Sequence, residues 1–93
     1  MRVLFTARAK RHLDEISKYI TERNPKAATR VGRRIHDVTS LLGYLPHLGR
    51  PGVVNSTREM VVPGLPYVIV YRVIEERDQV VILGVYHGAQ LRP

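Results

Sequence analysis

The side chains that could bind or act on an anion lie in the second half of the chain. Arg58 and Arg72 fall in consecutive predicted strands, where two guanidinium groups on one sheet face would bind a phosphate or a carboxylate. His87 closes the last predicted strand beside Tyr86, where an imidazole could project into a cleft and move protons near neutral pH. Each has a structural alternative: Arg72 could pair with Glu59, and His87 could hydrogen-bond the backbone where its strand ends.

Aromatic and basic residues elsewhere offer two further binding surfaces. Tyr67 and Tyr71 share one face of a predicted strand, as platforms for stacked bases do, but core aromatics have the same spacing and are commoner. Arginines on the predicted helices could form a phosphate-binding patch, although a solvated helix face is the commoner explanation. These arginines are Arg8, Arg11, Arg30, Arg33 and Arg34.

Metal-dependent and acyl-transfer chemistry have no sequence motif in this chain. It contains no G-x-S-x-G elbow, no H-E-x-x-H pair, no phosphate-cradling loop ending in Gly-Lys-Ser/Thr, and no cysteine. The histidines other than His87 are scattered without metal-ligand spacing and are predicted to lie on the surface: His12, His36 and His47. We therefore expect no metal, no cofactor and no small-molecule substrate.

The charge of the chain indicates a polyanionic partner. The sequence has 15 lysines and arginines against 8 aspartates and glutamates, which gives a net charge of +7. Nucleic acid, a ribosome or an acidic protein segment would be attracted by this field, and arginine adds two-point binding of phosphates and carboxylates. The alternative is a basic surface that serves only solubility.

Length and hydropathy predict a single domain over residues 1–93. A chain of 93 residues buries too little surface to support two cores, and its 44% of apolar residues argues against disorder. No stretch approaches the roughly 20 apolar residues that span a bilayer, and the apolar start of the chain is too short for a signal peptide. The expected location is therefore the cytoplasm, without membrane contact.

Two amphipathic helices account for the first half of the chain. After a short apolar strand over 3–5, Thr6 is predicted to cap a helix over 7–23 whose apolar residues recur at steps of three and four. Asn24 and Pro25 are predicted to cap and begin a second helix that ends near residue 45. Its apolar stripe consists of Ala28, Val31, Ile35, Val38, Leu42 and Leu45. Because the bend between the helices is so short, they should form an antiparallel hairpin.

Strands dominate the second half of the chain. A loop rich in Gly and Pro over 47–55 precedes three predicted strands over 57–62, 67–74 and 79–87. The strand over 67–74 is too apolar for an edge and should lie in the middle of the sheet. The predicted fold class is α+β in the order β-α-α-β-β-β, with the helical hairpin packed on one face of a small, mostly antiparallel sheet.

Five segments of the chain resemble the ParE/RelE family of plasmid-stabilisation toxins, and they occur in that family's order. Tyr67–Val73 and Val81–Ala89 look like the family's two terminal strands. Asn24–Ala28, Pro46–Gly52 and Ser56–Glu59 resemble the start of its helical hairpin, its central loop and its second strand. The resemblance covers nearly the whole chain and implies the same fold that the periodicity predicts.

This resemblance implies a toxin of a type II toxin–antitoxin system, held inactive by a cognate antitoxin with an acidic segment. ParE-like members inhibit DNA gyrase, whereas RelE-like members cut messenger RNA on the ribosome with basic and Tyr or His side chains. RelE-like nucleases usually place an arginine where this chain has Val68, and several carry a tyrosine or a basic residue where it has Gly88. The family's frequent arginine after His-Gly-Ala is Gln90 in this chain.

The residues left as candidates for target contact or catalysis are Arg58, Arg72, Tyr86 and His87. The long helical hairpin and the ending Tyr71-Arg72-Val73 look more like ParE, so the resemblance favours a non-enzymatic toxin that binds a gyrase–DNA complex. The alternative is a metal-independent, ribosome-dependent endoribonuclease, and a third possibility is a degenerate binding module without toxicity.

Overall fold

The computed structural model describes residues 1–88 and has the predicted order of elements with one additional short strand. The first half consists of β1 (Arg2–Phe5), α1 (Ala7–Arg23) and α2 (Pro25–Tyr44). The second half consists of β2 (Arg50–Pro51), β3 (Arg58–Val61), β4 (Tyr67–Ile74) and β5 (Gln79–His87). β2 interrupts the segment predicted as a loop over 47–55, because its two residues pair with β3. The α+β fold class is confirmed.

Both helices begin where their capping residues predict. Thr6 Oγ1 accepts the N–H of Ala9 at 3.1 Å, and Asn24 Oδ1 accepts the N–H of Ala27 at 3.1 Å. Asn24 also follows the last residue of α1, and Pro25 occupies the first turn of α2. One residue therefore ends one helix and caps the next, which keeps the hairpin bend short. Within residues 1–88, no helix is long and apolar enough to cross a membrane.

The sheet has the strand order β1-β5-β4-β3-β2. β3, β4 and β5 form the predicted antiparallel meander, and β4 lies in the middle as its apolar sequence predicts. β2 pairs antiparallel with β3, whereas β1 pairs in parallel with the first part of β5, Gln79–Ile82. The later part of β5 therefore has an outer edge that β1 does not reach.

The helical hairpin packs on one face of this sheet, and the core lies between them. Core residues from both layers include Val31, Ile35, Val38, Leu42, Ile69, Tyr71 and Ile82. The apolar stripe predicted on α2 is half-buried at Ala28 and buried from Val31 to Leu42, but it is wrong at Leu45, which is 51% exposed. Leu45 leaves the stripe because α2 ends at Tyr44 and the backbone of Leu45 is no longer helical.

A one-residue bulge in β5 decides which of its side chains face the helices. Leu83 has no partner in β4, because the register shifts by one residue opposite Val70 and Tyr71. Even-numbered residues of β5 face the core before the bulge, and odd-numbered residues do so after it. Tyr86 therefore lies on the sheet face that carries no helix, which we call the open face, and His87 lies on the helix side.

Candidate functional site

Arg72 and Tyr86 lie together on the open face, at a cavity of about 440 Å³ beside the start of α1. Val70 and Leu83 form part of its apolar wall, and Arg8 reaches it from the first turn of α1. The other lining residues are Thr6, Ala7, Val54 and Thr57. Two cationic side chains and a phenol thus meet in an otherwise mostly apolar hollow.

The start of α1 is fixed against β5 at the bulge. The backbone N–H of Thr6 donates to the carbonyl of Ile82 at 3.1 Å, and Thr6 Oγ1 donates to the carbonyl of Leu83 at 3.2 Å. The same hydroxyl oxygen caps the helix by accepting the N–H of Ala9. These bonds hold the first turn of α1, with Arg8, at the rim of the cavity.

The guanidinium group of Arg72 has an unused donor. Its Nε atom is buried and makes no hydrogen bond within residues 1–88. The alternative predicted for Arg72, an ion pair with Glu59, is not formed. Glu59 is only 4% exposed, and its carboxylate instead accepts Arg50 Nη2 at 3.1 Å. Arg72 therefore lines the cavity, and its guanidinium has a hydrogen-bond donor that no acceptor within residues 1–88 uses.

Tyr86 packs in the space that Gly84 leaves open. A Cβ atom at Gly84 would lie 2.7 Å from a ring carbon of Tyr86, so a larger residue could fit only if the ring moved. The imidazole of His12, on α1, contacts the Tyr86 ring edge-on, with 4.9 Å between ring centroids and 64° between planes. A glycine on one side and an imidazole on the other thus set the position of the Tyr86 ring.

His12 is not the surface residue that the sequence predicts. Its Nδ1 accepts the backbone N–H of Val85 at 3.2 Å, on the part of β5 whose edge β1 does not reach. Burial is the main influence on the pKa of His12 and lowers it below its usual value of 6.5. Glu15 raises this pKa in part, while Arg11 and Arg8 lower it further. His12 therefore serves as a neutral acceptor near neutral pH.

Arg58 lies on the helix side of the sheet and hydrogen-bonds to the loop that contains Gly49. It is opposite Tyr71 in β4, and Arg58 Nη1 donates to the carbonyl of Gly49 at 2.7 Å. The hydroxyl of Tyr71 donates to the carbonyl of Pro46 at 2.7 Å and accepts the N–H of Gly49 at 2.9 Å. The hypothesis that Arg58 and Arg72 share one sheet face is wrong, because the register pairs Arg58 with the neighbour of Arg72.

His87 projects from the helix side of the sheet into a separate cleft of about 590 Å³. Its ring lies edge-on to Tyr67, with 5.9 Å between centroids. The cleft is also lined by Glu15, Ile16, Tyr19 and Pro66. His87 does enter a cleft at the end of its strand, as predicted, but on the face opposite to Tyr86 and Arg72.

The remaining candidate surfaces have structural explanations. Tyr67 and Tyr71 share a strand face as predicted, but both belong to the buried core, so their rings are not open platforms for bases. The five helical arginines are all exposed, and Arg34 Nη1 donates to the carbonyl of Pro63 at 3.0 Å. Among residues 1–88 there is no cluster of three side chains that could hold a metal ion.

Similarity to known proteins assigns the chain to a family. Residues 3–92 match the family described as the ParE toxin of type II toxin–antitoxin system, parDE. The chain belongs to the ParE toxin family. It is 47% identical over 92 residues to Y4kP, a presumed toxin of Sinorhizobium fredii, over 99% of this chain and 93% of that protein. It is 34% identical over 92 residues to Toxin RelE1 of Caulobacter vibrioides, over 97% of this chain and 96% of that protein.

Two solved structures share the fold of this ParE-family chain. A chain of the chromosomal ParDE system of P. aeruginosa superposes with a TM-score of 0.82 at 22% identity, over 94% of this chain and 95% of that one. A chain of the intact E. coli RelBE toxin–antitoxin complex superposes with a TM-score of 0.73 at 14% identity, over 96% and 98% of the two chains. At these identities the likeness shows the shared fold.

In this ParE-family chain, sequence reasoning missed the residues that position Tyr86. The partner of His12 is a backbone amide remote in sequence, which no local pattern reveals. Gly84 was an available signal, since a glycine inside a strand pattern indicates a bulge or a close approach. Val68, where the resemblance places an arginine in RelE-like nucleases, is buried opposite Tyr86. Gln90 lies outside the described residues.

Proposed function

We propose that this ParE-family toxin acts by binding DNA gyrase on DNA and is not itself an enzyme. The observation that carries the proposal is the division of the four candidate residues between two faces. Arg72 and Tyr86 line the cavity on the open face, whereas Arg58 and His87 lie on the helix side. A surface with cations but without a proton-transfer pair is suited to binding rather than to cleavage.

Metal-independent RNA cleavage needs a base, an acid and a cation gathered around one phosphate. Arg72 could supply the cation. His87 lies across the sheet from it, and His12 already uses its Nδ1 to accept the N–H of Val85. Val68 gives the open face an apolar residue where a nuclease would have a second arginine. Each of these features supports a binding mechanism.

Gyrase is the proposed target because ParE-like members of the family inhibit that enzyme. The net charge of +7 would favour approach to a protein–DNA complex. We place the toxin in the cytoplasm, where gyrase acts, and propose plasmid stabilisation as its biological setting.

An antitoxin with an acidic segment is the proposed partner. A solved structure of the same fold, from the E. coli RelBE system, is a toxin–antitoxin complex. An acidic segment lying over the open face would bring carboxylates to Arg72 and Arg8 and would cover Tyr86. Neutralisation would then follow from occupation of the surface that binds the target.

Induced expression of this chain alone in cells tests the proposal. Growth, nascent protein synthesis and chromosomal breaks are followed over one generation. We expect breaks to accumulate while translation continues, because a gyrase poison damages DNA before it affects protein synthesis. A matched strain that expresses Arg72→Gln to the same soluble level should show fewer breaks.

A ribosome-dependent endoribonuclease is the second candidate function. It is favoured by the 34% identity to a protein named Toxin RelE1. Immediate loss of translation with cleaved messages, while chromosomal DNA stays intact, would establish this mechanism and reject the gyrase proposal. Unimpeded growth with abundant folded protein would reject both and indicate a non-toxic binding module.

A further inference from the structure

We propose that the cavity beside Arg72 is a subsite for the carboxylate of a glutamate side chain, presented by the antitoxin segment that covers the open face. The cavity has a volume of about 440 Å³, enough for one or two side chains. Only the identity of the chain that supplies the glutamate rests on the proposed function. The chemistry of the subsite follows from its lining.

The guanidinium group of Arg72 has a donor without an acceptor. Its Nε–H is buried and makes no hydrogen bond within residues 1–88, which is an unfavourable state for a charged group. Because Nε itself is buried, a carboxylate in the cavity would meet the guanidinium at its two terminal nitrogens, which can donate two parallel hydrogen bonds to it. We therefore expect the subsite to bind a planar anion with two oxygen acceptors.

The charged side chains that line the cavity are both positive. Arg8 lines the same cavity, and the first turn of α1 contains no acidic residue to offset the partial positive charge at a helix start. No acidic residue among positions 1–88 forms an ion pair with Arg72 or Arg8. Glu59, the acidic residue of β3, is paired with Arg50. An anion from a partner would complete this arrangement.

The apolar walls decide which anion fits. Val54, Val70 and Leu83 contribute the aliphatic surface of the cavity. The methylene groups of a glutamate would contact this surface while the carboxylate meets Arg72. A sugar–phosphate backbone has no comparable apolar stem and would leave the walls exposed to water. The lining therefore favours an acidic peptide over nucleic acid.

Small-molecule probes can test the chemistry of the subsite without a known antitoxin. The full chain is produced by cell-free synthesis with nitrogen-15 labelling, and nuclear magnetic resonance spectra are followed during three titrations. The probes are 4-methylpentanoate, its uncharged amide, and dimethyl phosphate. We expect saturable shifts of the Arg72 Nε–H signal and of the backbone of Thr6, Arg8 and Leu83 with the carboxylate. The amide and the phosphate diester should bind at least about tenfold more weakly.

Two variants assign the binding to Arg72. Arg72→Lys keeps the charge but removes the planar pair of terminal donors, so it should weaken binding of 4-methylpentanoate by about tenfold. Arg33→Gln removes an exposed arginine of α2 and should leave the affinity within about twofold of the original. If Arg72→Lys does not fold, the comparison of the three probes on the unmodified chain still decides the proposal.

Either of two outcomes would overturn the subsite: equal binding of carboxylate and amide, or preference for dimethyl phosphate. The second outcome would indicate a nucleic-acid contact. Failure of the gyrase proposal can be told apart from failure of this one. If the chain binds the carboxylate but does not affect gyrase, the subsite is supported and the gyrase target is rejected. If the chain inhibits gyrase but does not prefer the carboxylate, the target is supported and the subsite is rejected.

Discussion

His12 Nδ1 lies 3.2 Å from the backbone nitrogen of Val85 and takes the place that a neighbouring strand would have at the edge of β5. The same imidazole contacts the ring of Tyr86. One side chain of α1 thus satisfies a backbone donor of β5 after the bulge and positions the aromatic residue of the open face. The helix layer and the candidate site are coupled through this imidazole.

Stability should depend on the protonation of His12. Because burial lowers its pKa below 6.5 in the folded chain, the unfolded chain takes up the proton first as the pH falls. The stabilising contribution is complete above about pH 6.5 and is lost progressively below it, down to the lower pKa of the folded state. Denaturant midpoints at about pH 7.5 and about pH 5.5 measure this loss.

Substitution variants isolate the contribution of His12 from that of other groups. His12→Gln keeps an acceptor that does not titrate, so its midpoint should fall less between the two pH values. His36→Gln, which changes an exposed histidine, should behave like the unmodified chain. Equal pH dependence in His12→Gln and the unmodified chain would contradict the account.

Tyr71→Phe should destabilise the fold by about 1–3 kcal/mol, because it leaves the N–H of Gly49 and the carbonyl of Pro46 without their partner. Burial raises the pKa of Tyr71, even though the Gly49 bond and the charge of Arg58 lower it. Tyr44 is 85% exposed, so Tyr44→Phe is a matched control that should cost less than about 0.5 kcal/mol. Chemical denaturation measures both, and a similar small effect in both variants would refute the role of the hydroxyl.

Arg58→Gln should lower stability without changing the intrinsic affinity for the target. Its guanidinium supports the carbonyl of Gly49 on the helix side of the sheet and does not reach the open face. Loss of a hydrogen bond from a charged group should cost about 1–3 kcal/mol. Thermal unfolding and gyrase inhibition per folded molecule separate the two effects. If Arg58→Gln has normal stability but inhibits gyrase much less, Arg58 belongs to the functional site.

Gly84→Ala should displace Tyr86 while the fold is kept. The added Cβ would lie 2.7 Å from the Tyr86 ring, and a ring at the end of a side chain moves more easily than the backbone of β5. Contacts between the rings of His12 and Tyr86 should then disappear from nuclear Overhauser spectra. Gly32→Ala is the matched control, because a Cβ there meets nothing within 4 Å. Unchanged ring contacts in Gly84→Ala would show that the glycine does not position Tyr86.

Local signals made the elements predictable from the sequence. Thr6 and Asn24 accept hydrogen bonds from backbone amides three residues further along the chain, so short sequence patterns are enough to predict where both helices begin. The middle position of β4 follows from its apolar run. Leu45 was misplaced because the end of α2 depends on where the chain turns rather than on periodicity.

The site was less predictable because it depends on strand register. A bulge at Leu83 exchanges the faces of Tyr86 and His87, and one residue of register separates the face of Arg58 from that of Arg72. Neighbours in sequence therefore face opposite ways. Gly84 indicated an irregularity in β5, but the sequence alone did not show which residue of the strand would be left without a partner in β4.

Inhibition of purified gyrase tests most directly whether the open face is the functional surface. DNA supercoiling is measured against increasing amounts of the unmodified chain, Arg72→Gln and Arg33→Gln, each confirmed as folded. We expect the unmodified chain to inhibit, Arg72→Gln to require about tenfold more protein, and Arg33→Gln to lie within about twofold. Equal inhibition by Arg72→Gln and the unmodified chain would contradict the placement of the site. Normal supercoiling together with cleavage of ribosome-bound messages would contradict the mechanism.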